Sequence, residues 1–126
     1  MAYNLLVVDD SAVMRSMIIK TLNASGLEIG QIHQAANGAD GLSLLGREWI
    51  DLALVDIHMP VMDGEEMNGK MRGNPDTKKV PVVVISSESD KDRIAQLQGL
   101  GAVFAHKPFT PESLGQIITK ALEGAR

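Results

Sequence analysis

An uninterrupted apolar run, Leu52-Ala53-Leu54-Val55, is bracketed by two acids, Asp51 and Asp56. Apolar residues without alternation suit a strand buried on both faces of a parallel sheet. Asp56 then stands at the strand's carboxyl end, where open α/β sheets place their ligands. Met59-Pro60 breaks the strand, and Asp63-Gly64 is a turn signal ahead of the next helix. Everything else in the chain is expected to equip or read out Asp56.

Similar runs recur along the chain. Leu5-Leu6-Val7-Val8 ends in Asp9-Asp10 and reads as a buried first strand. Ser11 can cap the following helix by accepting a bond from a free main-chain N–H. Met14, Met17, Ile18, Thr21 and Leu22 recur at helical spacing, with Arg15, Ser16 and Lys20 on other faces. This helix is predicted to reach Asn23 and stop near Gly26. Residues 31–35 form a weaker strand whose unpatterned Gln-Ile-His-Gln-Ala suggests an edge position. Asn37-Gly38 ends it, and the next helix takes Leu42, Leu45 and Trp49 as its apolar stripe. Gly41 and Gly46 weaken that helix by roughly 1 kcal/mol each relative to alanine. A helix with Met67 and Met71 then runs to Arg72, and Asn74-Pro75 is a loop. Residues 80–85 give the strongest strand signal and end in Ser86-Ser87. A helix over residues 90–99 carries Ile94 and Leu97, and Val103-Phe104-Ala105 is a short strand ending at His106-Lys107-Pro108. Thr110-Pro111 opens the last helix, a capping hydroxyl followed by proline at the first helical position. Its apolar face is Leu114, Ile117, Ile118, Ala121 and Leu122.

Five strands alternating with five helices call for an α/β fold with a parallel sheet, read as one domain over residues 1–126. A chain of this size buries roughly two thirds of its unfolded surface, enough for a core. There are no cysteines, so the fold needs no disulfide or thiolate-metal site and thiol redox catalysis is excluded. The net charge is −4 and no Lys/Arg cluster exceeds Lys78-Lys79, which leaves no electrostatic footprint for nucleic acid. The start lacks the basic region of a signal peptide, and no segment approaches the ~20 apolar residues of a membrane span. The expectation is a soluble, cytoplasmic monomer without membrane or nucleic-acid partners.

The chemistry gathers at the strand ends. The first strand delivers Asp9 and Asp10, the third Asp56, the fourth Ser86 and the fifth Lys107. In a parallel sheet these ends lie on one edge. Carboxylates so close repel one another, and protonating one relieves the repulsion. A divalent, oxygen-seeking cation is the better solution at neutral pH, and magnesium is commonly held by one or two carboxylates plus water and phosphate oxygens. Lys107 and Ser86 add a point charge and a donor for other phosphoryl oxygens. Phosphoryl transfer needs mainly positioning and charge neutralisation. Asp56 is the natural nucleophile, since a carboxylate can attack phosphorus and become an acyl phosphate.

Asp9-Asp10, Asp56 with Met59-Pro60 and Asp63-Gly64, Ser86, and Lys107-Pro108-Phe109 together resemble the receiver domain of two-component response regulators, over essentially the whole chain. Val7-Val8-Asp9-Asp10-Ser11 with Met14-Arg15 is similar to the stand-alone chemotaxis regulators, CheY-type. The resemblance implies a doubly wound five-stranded sheet in the order 2-1-3-4-5. It implies that Asp56 takes a phosphoryl group from a histidine kinase or phosphotransfer protein. Asp10, Asp56 and the main-chain carbonyl of His58 would hold magnesium, with Asp9 supporting through water. Lys107 would neutralise one phosphoryl oxygen, Ser86 would move to bond another, and Phe104 would turn inward behind it. The face made by the fourth helix, fifth strand and fifth helix would then change its partner preference. His58 and Glu88 occupy positions that tune phosphoryl lifetime, and the Lys107–Pro108 bond is cis in the family. Phe104 stands where tyrosine is common and lacks its hydroxyl.

Each residue alone has a plainer reading. An acid pair at a strand end is usually solvated, Ser86 would be a cap and Lys107 a surface lysine. Met14, Met17, Met67 and Met71 read as core filler, exposed Met59 and Met62 as a possible grip on a partner, and His33 and His106 as structural. The conjunction favours a signalling module that catalyses only its own phosphorylation and dephosphorylation and is no enzyme towards other substrates. A receiver cut from a larger regulator is the first alternative. A magnesium-dependent aspartyl phosphatase of the haloacid dehalogenase type would want an Asp where His58 stands, and its nucleophile after the first strand. A flavin module would find Asp9-Asp10 repelling its phosphate and only 3% aromatic residues to sandwich the ring.

Overall fold

The computed structural model describes residues 2–56, 64–75, 77–86, 95, 103–107 and 109–124, with the backbone alone for residues 64, 65 and 86. Its elements are β1 (Tyr3–Val8), α1 (Ala12–Asn23), β2 (Ile29–Ala35), α2 (Gly38–Arg47), β3 (Leu52–Asp56), α3 (Gly64–Arg72), β4 (Val82–Ser86), β5 (Val103–His106) and α4 (Pro111–Gly124). The strands form one five-stranded sheet in the order β2-β1-β3-β4-β5, with every pairing parallel. The expected doubly wound order is therefore present, and β2 occupies the expected edge. Four helices are described. The predicted helix over residues 90–99 falls outside the described residues except for Ala95, which is helical.

Successive strand side chains point to opposite faces, and both faces are apolar. Leu6, Val8, Ala53, Val55, Val82 and Val84 pack with Met67 and Met71 of α3, and with the partly buried Leu42 and Leu45 of α2. Leu5, Val7, Leu52, Leu54, Val83 and Ile85 pack with Ile18 and Leu22 of α1 and Leu114, Ile118 and Ala121 of α4. The unbroken apolar runs in the sequence are thus strands covered on both sides. Pro81 explains why β4 begins two residues later than expected. It accepts a bond from Ala53 N–H but has no N–H to donate, so the ladder starts after it.

Helix caps form at the two expected positions, Ser11 and Thr110, and also at Asn37. Ser11 Oγ accepts from Met14 N–H (3.2 Å), Asn37 Oδ1 from Asp40 N–H (2.8 Å), and Thr110 Oγ1 from Ser113 N–H (3.1 Å). Ser113 Oγ in turn accepts from Thr110 N–H (2.9 Å), closing a reciprocal cap.

Two expected core positions are exposed instead. Met17 is 57% exposed. At about 100° per residue, Met14, Ile18 and Leu22 define the face that α1 turns to the sheet, and Met17 falls well to one side of it. Trp49 is 77% exposed and lies beyond the end of α2. Glu48 is already extended as the C-cap, so the chain leaves the helix before Trp49 can join the stripe. The indole N–H donates to Asp51 Oδ1 (3.1 Å) at the surface.

The two glycines of α2 differ in kind. A Cβ on Gly41 would lie 3.0 Å from both Met67 Cε and Val8 Cγ2, whereas one on Gly46 would meet nothing within 4 Å. Gly41 lets α2 approach β1 and α3, and Gly46 serves no contact. Gly46→Ala is expected to stabilise the protein by about 1 kcal/mol. Gly41→Ala is expected to destabilise it by about 1–3 kcal/mol through overpacking. The urea midpoint reads both, and equal shifts of the same sign would refute the distinction.

Candidate functional site: an acid cluster at the sheet edge

Strand register sets the site. Ala35, Val8, Val55, Val84 and Phe104 lie side by side across the five strands. This row is an apolar floor. Asp9 and Asp56 emerge one residue beyond it, from the adjacent central strands β1 and β3. Ser86 ends β4 opposite His106, and Lys107 follows directly. All the residues expected at the carboxyl edge of the sheet, so far as they are described, are on that edge.

Asp9, Asp10 and Asp56 converge, with one carboxylate oxygen of each within 4.8 Å of the others. Their settings differ: Asp9 is 1% exposed, Asp10 is exposed and Asp56 is half-buried. Asp9 Oδ1 accepts from Ser11 N–H (2.9 Å). Asp9 Oδ2 is buried and has no hydrogen-bond partner among the described residues. Burial pushes the Asp9 carboxyl above the ordinary 3.8. The Ser11 N–H pulls it back, the Asp56 charge raises it, Lys107 lowers it and Asp10 raises it. Lys107 follows β5 on the same sheet edge as the acids.

An orphaned buried carboxylate oxygen beside two more carboxylates fits a hard divalent cation. Such a cation supplies the missing partner and offsets the repulsion. The donor set is all oxygen, as magnesium prefers.

Phe104 is half-buried against the core of the α2–α3 face, with its ring centroid 5.9 Å from that of His106. His106, expected to be structural, is exposed on β5. His58, Glu88, Pro108, Met59, Met62 and Asp63 lie outside the described residues, as does the side chain of Ser86.

Arg15 received no site role from the sequence, which places it off the apolar face of the first helix. Its Nη1 donates to the carbonyl of Asp9 (2.6 Å) and its Nε to Gln34 Oε1 (3.1 Å). The available signals were its place in the Met14-Arg15 resemblance and its position four residues after the cap, one turn into the helix that leaves the acids.

Comparison with known proteins agrees with this geometry. The family model for the response regulator receiver domain matches residues 5–119, and the chain belongs to that family. A probable chemotaxis protein CheY of Rhizobium etli is 33% identical over 122 residues, which cover 95% of this chain and 92% of that protein. The chemotaxis protein CheY4 of Vibrio cholerae superposes with a TM-score of 0.84 at 28% identity, covering 96% of this chain and 99% of that one. The receiver domain of a Pseudomonas aeruginosa sensor histidine kinase has a TM-score of 0.82 at 23% identity, covering 98% and 99%, and has a magnesium ion coordinated in its active-site cleft. Among the described residues no helix is long and apolar enough to cross a membrane.

Proposed function

We propose that the chain is a response regulator of the chemotaxis type that stores a signal as an acyl phosphate on Asp56. It works in the cytoplasm, as a monomer. The observation that carries this reading is the convergence of the Asp9, Asp10 and Asp56 oxygens beside an orphaned, buried Asp9 oxygen. Asp10 and Asp56 would hold magnesium with Asp9 behind them, and the family adds the carbonyl of His58. When bound, magnesium neutralises charge on the acids and on the phosphoryl oxygens.

The chain's own residues do the rest. A carboxylate oxygen of Asp56 attacks the phosphorus of a phosphohistidine presented by a sensor kinase or phosphotransfer protein. The P–N bond breaks, its electron pair stays on the imidazole, and an acyl phosphate forms on Asp56. Lys107 compensates charge on one phosphoryl oxygen and Ser86 donates to another. Phe104 then turns in behind Ser86. The outcome is a population shift in the two-state surface that the family builds from its fourth helix, fifth strand and fifth helix, the last two being β5 and α4 here, which an output protein reads. His58 and Glu88 set how long the phosphoryl group survives. The protein acts on no separate substrate.

Phosphoramidate with Mg2+ is expected to add one phosphoryl group to the wild type and none to Asp56→Asn, read by intact-mass spectrometry. Full labelling of Asp56→Asn would sink the assignment. For the pathway, beryllofluoride-dependent capture of a flagellar switch component from the native host supports chemotaxis. Capture of a different output protein removes it.

The Pseudomonas receiver belongs to a sensor kinase, which favours, as a second reading, a receiver module of a larger regulator. An immunoblot of the native host against this domain separates the two by size.

A further inference from the structure

We infer that Arg15, braced by Gln34, is a positioning residue that fixes Asp9 for cation binding; the inference rests on the magnesium reading above. Asp9 has four polar points, and three of them are held. Its N–H donates to Ala35 O (3.1 Å), its Oδ1 accepts from Ser11 N–H (2.9 Å) and its carbonyl accepts from Arg15 Nη1 (2.6 Å). The fourth, Oδ2, is the buried oxygen with no partner among the described residues. The first two bonds come from main chain. The third comes from one side chain, and its geometry is set by the second bond of the same guanidinium, from Nε to Gln34 Oε1 on β2 (3.1 Å). Arg15 thus ties the first turns of α1 to β2 across the end of β1. The turn that carries Asp9 and Asp10 is fixed between them.

Coulomb's law does not explain a cation in this place. Any Coulombic effect of Arg15 on the acid cluster opposes a divalent ion and weakens its binding. Arg15 gives Nη1 to a main-chain carbonyl, not to a carboxylate, which marks it as a bracket for the loop. Its planar fork serves two acceptors in fixed directions, a geometry that an ammonium does not reproduce. Removing Arg15 therefore has two effects of opposite sign on magnesium affinity. Loss of its charge tightens binding, and loss of its bracket loosens it. Positioning is the larger effect, because Asp9 stands behind the ligands Asp10 and Asp56, and such supporting groups typically change affinity by about 10–100-fold.

Isothermal titration of the full chain with Mg2+ at neutral pH and low salt tests this, with circular dichroism confirming that each variant is folded. Arg15→Ala is expected to bind Mg2+ about tenfold more weakly than wild type. Arg15→Lys keeps the charge and is expected not to restore affinity. Gln34→Ala keeps every charge and is expected to weaken binding by a smaller factor. The double variant is expected to be no weaker than Arg15→Ala, because both residues act through one bond to Asp9. A folded Arg15→Ala that binds Mg2+ as tightly as wild type, or more tightly, overturns the inference. If Arg15→Ala does not fold, Gln34→Ala decides, and unchanged affinity there overturns it. A wild type that binds no Mg2+ overturns the magnesium reading itself, and this inference with it.

Discussion

In metal-free buffer at neutral pH, Asp9→Asn is expected to be more stable than the wild type by about 1–2 kcal/mol, the order of an unsatisfied buried acceptor. Asp9 is 1% exposed and its Oδ2 is buried with no partner among the described residues. Two further carboxylates lie within 4.8 Å. Asparagine keeps an oxygen for the Ser11 N–H and turns an amide towards those acids. It replaces a repelled acceptor with a donor.

The pH dependence has a definite sign. Burial, with the charges of Asp56 and Asp10, raises the folded carboxyl of Asp9 above 3.8, against the opposing effects of Ser11 and Lys107. The folded state then holds the proton more tightly than the unfolded chain. Its contribution to stability is complete below the unfolded value and is lost as pH rises through the folded one. The advantage of Asp9→Asn should therefore be small in acid, grow as pH rises from about 4, and level off once the folded carboxyl has ionised. Saturating Mg2+ should shrink or reverse it, because the cation stabilises wild type in proportion to RT ln(1 + [L]/Kd) and the variant has lost a supporting carboxylate. Urea denaturation at several pH values, in EDTA and in Mg2+, measures all of this. A variant no more stable than wild type in EDTA at neutral pH would refute the account.

The same residue shows where sequence reasoning stops. That Asp9, Asp10 and Asp56 share an edge followed from apolar runs ending in acids and from the parallel sheet those runs require. That Asp9 is buried did not follow, because an acid after a strand looks the same whether it is solvated or sealed. Its main chain is held by Arg15 and Ala35, which arrive from other elements. The caps at Ser11 and Thr110 were legible because each acts within its own helix. Met17 and Trp49 were not, for a related reason. Helical spacing shows that a stripe exists, but the sheet decides which side of it is covered and where the helix ends. Gly41 reads in sequence as a weak point of α2, and only the proximity of Val8 and Met67 shows it to be a contact.

Arg72→Ala is expected to destabilise the protein by about 3 kcal/mol, the largest loss foreseen for any side chain outside the site. The guanidinium joins three acceptors, four residues back in α3 and six and eight residues ahead in the segment that follows it. Nε donates to Asn68 Oδ1 (3.2 Å), Nη2 to Val80 O (2.9 Å), and Nη1 to Lys78 O. Asn68 is 0% exposed in α3, while Lys78 and Val80 belong to the segment that feeds β4. Thr77, 5% exposed, adds a bond from its hydroxyl to Met71 O (3.0 Å). Arg72 thus sets how the chain leaves α3 and enters the strand that ends at Ser86. Burial lowers its pKa, and the bonds that hold it are each worth about 1.5–3 kcal/mol when the donor is charged. Part of that is offset by rehydration of an incompletely buried group, which leaves the net figure near 3 kcal/mol. Arg72→Lys can satisfy one acceptor in place of three and should recover less than half of the loss. Arg72→Met keeps the apolar stem and separates packing from hydrogen bonding. Urea midpoints at unchanged m-value give the free energies. A loss below 1 kcal/mol for Arg72→Ala, or full recovery by Arg72→Met, would show that packing along the stem and not the three bonds holds β4 in place.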